Sequence, residues 1–254
     1  MCNPWFCVGM GWLPMSVGVM VMATFTISYS ISVSLGHVPA EFPYISDTGT
    51  YVPESCIFGQ LLNIAAALAF ATMYVRYKNV IEYNHNEDSR VLLWNKIGLV
   101  MGSLAALGMS MVANFQESNV LVMHMVGANM CFGIGILYCY VHSWISYKMM
   151  PFHASHHEYM ARIICSVVGS VSFIFTSIFA AVAQSKWEGE KPTKWSPEDG
   201  GFPEHIVSTV SEWILAVSFL LYFFTYIREF QKIRMEANIR LYTEDMMPIN
   251  DPEV

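Results

Sequence analysis

The first charged side chain is Glu41, and the forty residues before it contain one long apolar run. Five more apolar runs follow. A bilayer core of about 30 Å takes about 20 residues of helix, so the chain divides into six crossings, at 12–35, 53–75, 97–114, 120–147, 163–183 and 206–227. The fold class this implies is all-α: a polytopic membrane protein, a six-transmembrane-helix bundle forming one domain over residues 1–243. Only 13% of the 254 residues are charged, about half the share a soluble domain carries, so a water-soluble globule is excluded. The first run lacks a basic residue ahead of it and is too long for a cleaved leader, so a retained span is expected. Span three is the shortest and draws on Asn95 and Lys96 at its interface.

The net charge is −7 and the thirteen basic residues form no stripe, which argues against a nucleic-acid partner. No Cys-x-x-Cys pair occurs among the six cysteines, so neither a disulfide framework nor a metal site is expected, and no cofactor is implied. His153, His156 and His157 would share a helix face with only Glu158 beside them. Solvated histidines are expected there rather than zinc.

An even number of spans puts both termini on one side. That side receives Arg76, Lys78, Arg90, Lys96, Lys148, Arg162, Arg228, Lys232, Arg234 and Arg240, and the other only Lys186, Lys191 and Lys194. The positive-inside bias places both termini in the cytosol. Gly98, Gly102 and Ala106 make a small-residue stripe on span three, and Ala65, Ala66 and Ala69 a small face on span two. Packing within the bundle is the expectation, with dimerisation through the glycine stripe as the alternative. After span six, Ile227, Phe230, Ile233, Ala237 and Leu241 recur as an amphipathic tail helix over 228–241. Its Glu229–Lys232 and Glu236–Arg240 would be surface pairs, and Lys232, Arg234 and Arg240 would lie near anionic headgroups. Residues 244–254 are acidic and read as disordered.

The connection after span one, FPYISDTGTYVPESCIFG at Phe42 to Gly59, is unusual for a loop. It has no Lys or Arg, and it mixes aromatics (Phe42, Tyr44, Tyr51) with the carboxylates Asp47 and Glu54. Pro53 and Glu54 suit the first turn of span two. Glu212 is the costliest polar residue, about 9 Å into span six. A carboxylate there must be neutral, paired or facing a wet cavity. Its candidate partners on the same side are Asp47, Glu54, Asn114, Gln116, His124 and His205. The first exoplasmic loop is therefore expected to be ordered and to fold down as a lid. Phe42, Tyr44 and Ile45 would pack on helix ends, Asp47 or Thr48 would reach Asn114, His124 and Glu212, and Gly49 would supply freedom for a tight turn. These polar groups would either satisfy one another structurally or form a ligand or ion site. In an acidic compartment His124 and His205 would change charge. Asp88 with Leu92-Leu93, and Tyr147-Lys148-Met149-Met150, have the spacing of receptor-read sorting signals.

Several of these segments together resemble the damage-regulated autophagy modulator (DRAM) family, within the wider Frag/DRAM/Sfk superfamily. They are Pro43-Tyr44-Ile45-Ser46-Asp47-Thr48-Gly49, Pro-Glu-x-Cys-x-Phe-Gly at 53–59, Val112-Ala113-Asn114-Phe115-Gln116, His124, Trp195-Ser196-Pro197-Glu198-Asp199, Glu212-Trp213, and Thr225-Tyr226-Ile227-Arg228-Glu229-Phe230-Gln231. The likeness runs from span one through the tail. It implies a six-span protein of lysosomal and endosomal membranes that promotes autophagy, and it carries over no catalytic residues. More distant relatives include Sfk-like plasma-membrane proteins linked to phosphoinositide kinase recruitment and a Golgi protein of lipid-anchor remodelling, so plasma membrane or Golgi are the alternative locations. This chain departs from the family in a Met-rich start and in an acidic end without a dileucine.

The expected function is that of a non-enzymatic regulator or scaffold that touches membrane lipids and engages protein partners through its cytosolic loops and tail. The alternative is a lipid- or ion-handling protein that uses the cluster near Glu212. An enzyme acting on lipid is the third reading and rests on fold-level analogy alone.

Overall fold

The computed structural model of the protein describes residues 9–84 and 88–234. Six crossings are helical and long and apolar enough to span a membrane. α1 covers Trp12–Ser34, α2 Glu54–Tyr83 and α3 Ser89–Asn114. The fourth crossing is built from α4 (Leu121–Ala128), a π-helical turn (Asn129–Ile134) and α5 (Gly135–Lys148). α6 covers His156–Lys186, and the sixth crossing is α7 (Phe202–Phe224) followed by the short α8 (Ile227–Phe230). No strand occurs among the described residues.

The helices outrun the apolar runs that announce them. α2 and α6 have 30 and 31 residues, about 45 Å at 1.5 Å per residue, more than a hydrocarbon core of about 30 Å. A backbone ladder does not stop where charges begin. α2 therefore continues past Val75 and carries Arg76, Asn79 and Val80 into the interior. α6 starts at His156 because Ser155 and Glu158 form a capping box, each side chain accepting the other residue's backbone N–H. α3 starts at Ser89 because the Asp88 carboxylate accepts the Arg90 N–H, a bond that holds its pKa below the usual value. Span three is thus not the shortest crossing: α3 has 26 residues and α1 has 23.

α1 packs on α2, α2 on α3, and α3 along the whole fourth crossing; α6 packs on α7, and α1 reaches α7 to close the ring. In the fourth crossing, α4 and the π turn lie mainly on α3, and it is α5 that meets α6. The outer face of α6 exposes Ile164, Val168, Val171, Ile174, Phe175 and Ile178 to the surroundings. A continuous stripe of this kind suits lipid and would be a liability in water.

The predicted glycine stripe is filled from within the chain. A Cβ at Gly98 would meet the His142 ring at 2.6 Å, one at Gly102 would meet Met73 Sδ at 2.5 Å, and Ala106 lies in the core. The tightest backbone approach of spans three and four lies elsewhere: a Cβ on Gly108 would meet Cys131 N at 2.5 Å and Gly127 O at 2.6 Å. Those contacts are backbone and cannot swing aside. Gly108→Val is expected to lower stability by about 1–3 kcal/mol, read as a lower thermal midpoint in detergent. Gly133→Ala, whose nearest neighbour is a Phe173 ring atom at 3.7 Å, should stay close to the parent.

The tail departs from the expected helix. α8 ends at Phe230, Gln231 and Lys232 make a turn, and Ile233–Arg234 are not helical. The Met10 N–H donates to the Ile233 carbonyl at 3.1 Å, so the start of span one pins the chain where the helix would have continued. Lys232 and Arg234 are exposed. Residues 235–241 of the expected helix, Arg240 among them, and the acidic segment 244–254 lie outside the described residues.

Candidate functional site

On the face opposite the tail, residues 43–50 fold over the bundle and are clamped to three helices. The Tyr44 hydroxyl donates to Ser208 Oγ at 2.7 Å, the Ile45 N–H to Glu212 Oε2 at 2.8 Å, and the Trp213 indole N–H to the Pro43 carbonyl at 3.0 Å. All three bonds end on α7. Ser46 Oγ donates to Glu117 Oε2 at 2.8 Å, and Thr48 Oγ1 meets Ser28 Oγ of α1 at 2.9 Å. Ile45, Asp47, Thr48 and Thr50 are buried. The Asp47–Gly49 turn rests on α1 and α2, and Gly49 is required by contact: its Cβ would lie 2.5 Å from the Phe58 ring. Its φ is not positive, so the expected role in backbone freedom falls to other positions. Phe42 takes φ +42 at the start of the lid, a conformation costing on the order of 1–3 kcal/mol, and its ring is exposed rather than packed.

The second loop on this face, 187–201, braces the lid. Trp195 is buried and stacks on His205 at 4.2 Å, while Tyr44 meets the same imidazole edge-on at 5.1 Å. Thr193 lies 3.4 Å from the Tyr51 hydroxyl. His205 is therefore held between aromatic rings, with no hydrogen-bond partner for Nδ1.

The predicted cluster divides into separate places. Asp47 and Glu212 come together, joined by Glu117, which the sequence reading did not select. Burial, with Glu117 and Glu212 close by, pushes the Asp47 carboxyl well above its usual pKa, against the Tyr44 N–H, which lowers it. Burial likewise raises the Tyr44 phenol. Glu212 is held by the Ile45 backbone, not by the side chain of Asp47 or Thr48. Asn114 turns the other way. It exchanges amide bonds with Asn63 of α2 at 3.1 Å in both directions and donates to the Ser110 carbonyl. The Gln116 carbonyl closes the turn before span four, and its side-chain oxygen accepts from the Asn119 amide. Glu54 is fully buried and pairs with His37. His124 is buried, and its Nδ1 bonds the Phe115 carbonyl at 2.8 Å.

Beneath the lid lies a cavity of about 110 Å³. Ile45, Ser46, His124 and Glu212 form one end, and Met73, Tyr138 and Phe223 lie at the other. Between them the wall is apolar, with the π turn supplying Cys131 and Phe132. π turns inside α-helices are frequent at functional sites. Glu212→Leu removes the acceptor of the Ile45 N–H and should destabilise the lid by about 1–3 kcal/mol. Glu212→Gln keeps an acceptor and should cost less. Hydrogen exchange of amides 44–50 reads the difference; equal protection in both variants would mean that the bond does not hold the lid.

A second buried polar centre sits at the tail end of the bundle. Arg76 and Arg162 are 1% and 0% exposed and share the single carboxylate of Glu229. Ser146 Oγ accepts from both guanidiniums, Asn79 accepts from Arg76, and Thr225 accepts from Arg162. The Tyr226 ring lies 5.3 Å from Arg76 and 4.5 Å from Arg162. This centre ties together the second, fourth, fifth and sixth crossings. The sequence reading counted both arginines among the basic residues of the cytosolic side and took Glu229 as the surface partner of Lys232; the structure buries both arginines and pairs them with Glu229. A usable signal was present: Ala65, Ala69, Met73, Arg76 and Val80 continue one buried face of α2, and Tyr226, Glu229 and Phe230 share one face.

Among the described residues no group of three metal-ligating side chains occurs. The Frag1/DRAM/Sfk1/Cwh43P N-terminal domain profile matches residues 9–233. The chain is 41% identical to mouse DNA damage-regulated autophagy modulator protein 2, over 97% of this chain and 95% of that one. It is 38% identical to human DNA damage-regulated autophagy modulator protein 1, over 93% and 97%. It is 33% identical to Xenopus laevis modulator of macroautophagy TMEM150B-B, over 83% and 81%. No solved structure matches.

Proposed function

The chain belongs to the Frag1/DRAM/Sfk1/Cwh43P family, and from that premise we propose that it modulates autophagy from a lysosomal or late endosomal membrane, as a regulator or scaffold without chemistry of its own. The observation that carries this reading is the extent of the likeness to proteins named as autophagy modulators, which includes all six crossings and both clamped loops. Both termini are then cytosolic and the lid luminal. Basic residues support that orientation, because the bias toward the tail side persists when buried Arg76 and Arg162 are set aside. Cytosolic loops, with exposed Lys232 and Arg234, are the surfaces offered to lipid headgroups and protein partners.

The test is autophagic flux in cells lacking the protein, measured as marker turnover with lysosomal degradation blocked and unblocked. Re-expression should restore flux, and a tag at either terminus should be reachable after plasma-membrane permeabilisation alone. Flux that is the same with and without the protein would overturn the reading. A second reading, lipid handling, is favoured by one specific observation: the lid covers an apolar chamber with Glu212 and His124 at its mouth.

A further inference from the structure

We propose that the buried centre at the tail end of the bundle binds one small inorganic anion of halide size, held by Arg76 Nε and the phenols of Tyr138 and Tyr226. This goes beyond the function proposed above and does not rest on it. Charge points to an anion. Arg76 and Arg162 are almost wholly buried, and among the described residues Glu229 is the only carboxylate that pairs with them. A guanidinium keeps its proton in a protein, so two cations share one anion and one positive charge is left in excess. A buried charge is costly unless it is paired. The other oxygens that accept from the two arginines, on Ser146, Asn79 and Thr225, are neutral. The face of the Tyr226 ring attracts both cations but carries no net charge.

Hydrogen bonding points the same way. Arg76 Nε, Tyr138 Oη, His142 Nδ1 and Tyr226 Oη are buried and have no hydrogen-bond partner, and buried polar atoms left in this way call for an ion or a water. They belong to one neighbourhood. The Tyr138 phenol lies beside that of Tyr226 and near the Arg76 cation. The Tyr138 and His142 rings are 4.3 Å apart, and His142 is close to both arginines. Arg76 Nε can only donate, each phenol has a proton to give, and a neutral imidazole can carry one on Nδ1. An ion that only accepts suits this set and supplies the missing charge; a water could accept from Nε but brings no charge. Size follows from burial: Arg76, Tyr138, His142 and Tyr226 are at most 2% exposed, which shuts out a lipid phosphate or a bulky carboxylate. Free space reaches the edge of the centre, because Tyr138 also lies at the lower end of the chamber with Met73 and Phe223. That chamber of about 110 Å³ exceeds the roughly 30 Å³ share of one water, and a halide ion needs little more than a water.

The test uses purified full-length protein in mild detergent, with chloride as the probe and gluconate, which is too bulky, as the control at equal ionic strength. Radioactive chloride is expected to bind saturably, one ion per chain, and unlabelled bromide should compete for it. The thermal midpoint should be higher in chloride than in gluconate, as for any ligand that binds only the folded state. Tyr138→Phe removes one donor and keeps the ring, and should weaken chloride binding about tenfold, the worth of one hydrogen bond to a charged group. Arg76→Met removes the excess charge and should abolish binding. Tyr226→Phe keeps the ring over both guanidiniums and repeats the test should Arg76→Met fail to fold. The combined Arg76→Met, Arg162→Met and Glu229→Leu chain should melt alike in both salts. Equal midpoints of the parent in chloride and gluconate, with no saturable chloride, would mean that water alone fills the centre and would overturn the inference. Chloride binding that is unchanged in both tyrosine variants would place the ion elsewhere and overturn it as well. Neither outcome touches the proposed role in autophagy, which flux measures separately.

Discussion

Glu229→Leu is expected to cost about 3–5 kcal/mol, the penalty for removing one partner from a buried ion cluster. For a protein of ordinary marginal stability that is much of what holds it together. The size follows from the charge count. Arg76 and Arg162 are almost wholly buried and both lean on the one carboxylate. Without it two cations would face each other across the Tyr226 ring, with only neutral oxygens of Ser146, Asn79 and Thr225 left as acceptors. The thermal midpoint of the detergent-purified protein should fall, with loss of the monodisperse species on size exclusion. Glu229→Gln keeps an acceptor without the charge and should fall between. The combination of Arg76→Met, Arg162→Met and Glu229→Leu should recover much of the loss, because replacing a whole buried ion cluster with apolar groups is often close to neutral. A single Glu229→Leu variant that melts with the parent would show that the arginines are not held as described.

The contrast between what was readable and what was not has a physical basis. Six crossings were legible because hydrocarbon demands long uninterrupted apolar runs, and any interruption is visible. Helix ends were less so, since they depend on caps such as Ser155 with Glu158 and on charged residues that turn inward, as Arg76 does. The lid was legible from its aromatics, which have no business in water. Its clamp was not, because two of its bonds involve backbone or indole groups: the Ile45 N–H to Glu212, and the Trp213 N–H to the Pro43 carbonyl. Backbone atoms leave no mark in a sequence. Asn114 was misplaced for a related reason. It adjoins Phe115, whose carbonyl bonds His124, yet the chain direction at the end of α3 turns its amide toward Asn63. Proximity along the chain does not fix side-chain direction.

Asp47 should make the lid respond to pH. Its closed-state pKa lies well above the usual value of 3.8, chiefly through burial and then through Glu117 and Glu212. In the open lid the carboxyl returns toward 3.8. Protonation therefore favours the closed form. The contribution is complete below the open-state pKa and is lost as pH rises through the closed-state pKa, at about 1.4 kcal/mol per unit between the two. Among the described residues no cation pairs with Asp47, so nothing offsets the cost of its charge in the closed lid. Protection of amides 44–50, corrected for intrinsic exchange, should be higher at about pH 5 than at about pH 7, as expected of local opening. Asp47→Asn cannot ionise and should hold the lid closed at both values. Glu117→Gln removes one repelling neighbour and should shrink the difference, at the cost of a weaker acceptor for Ser46. With the lid luminal, as proposed, the same sign means a lid that is tight in an acidic compartment and loosens when the compartment loses its acidity. Protection that is flat with pH in the parent, or a pH response that survives in Asp47→Asn, would locate the titrating group elsewhere or remove it altogether.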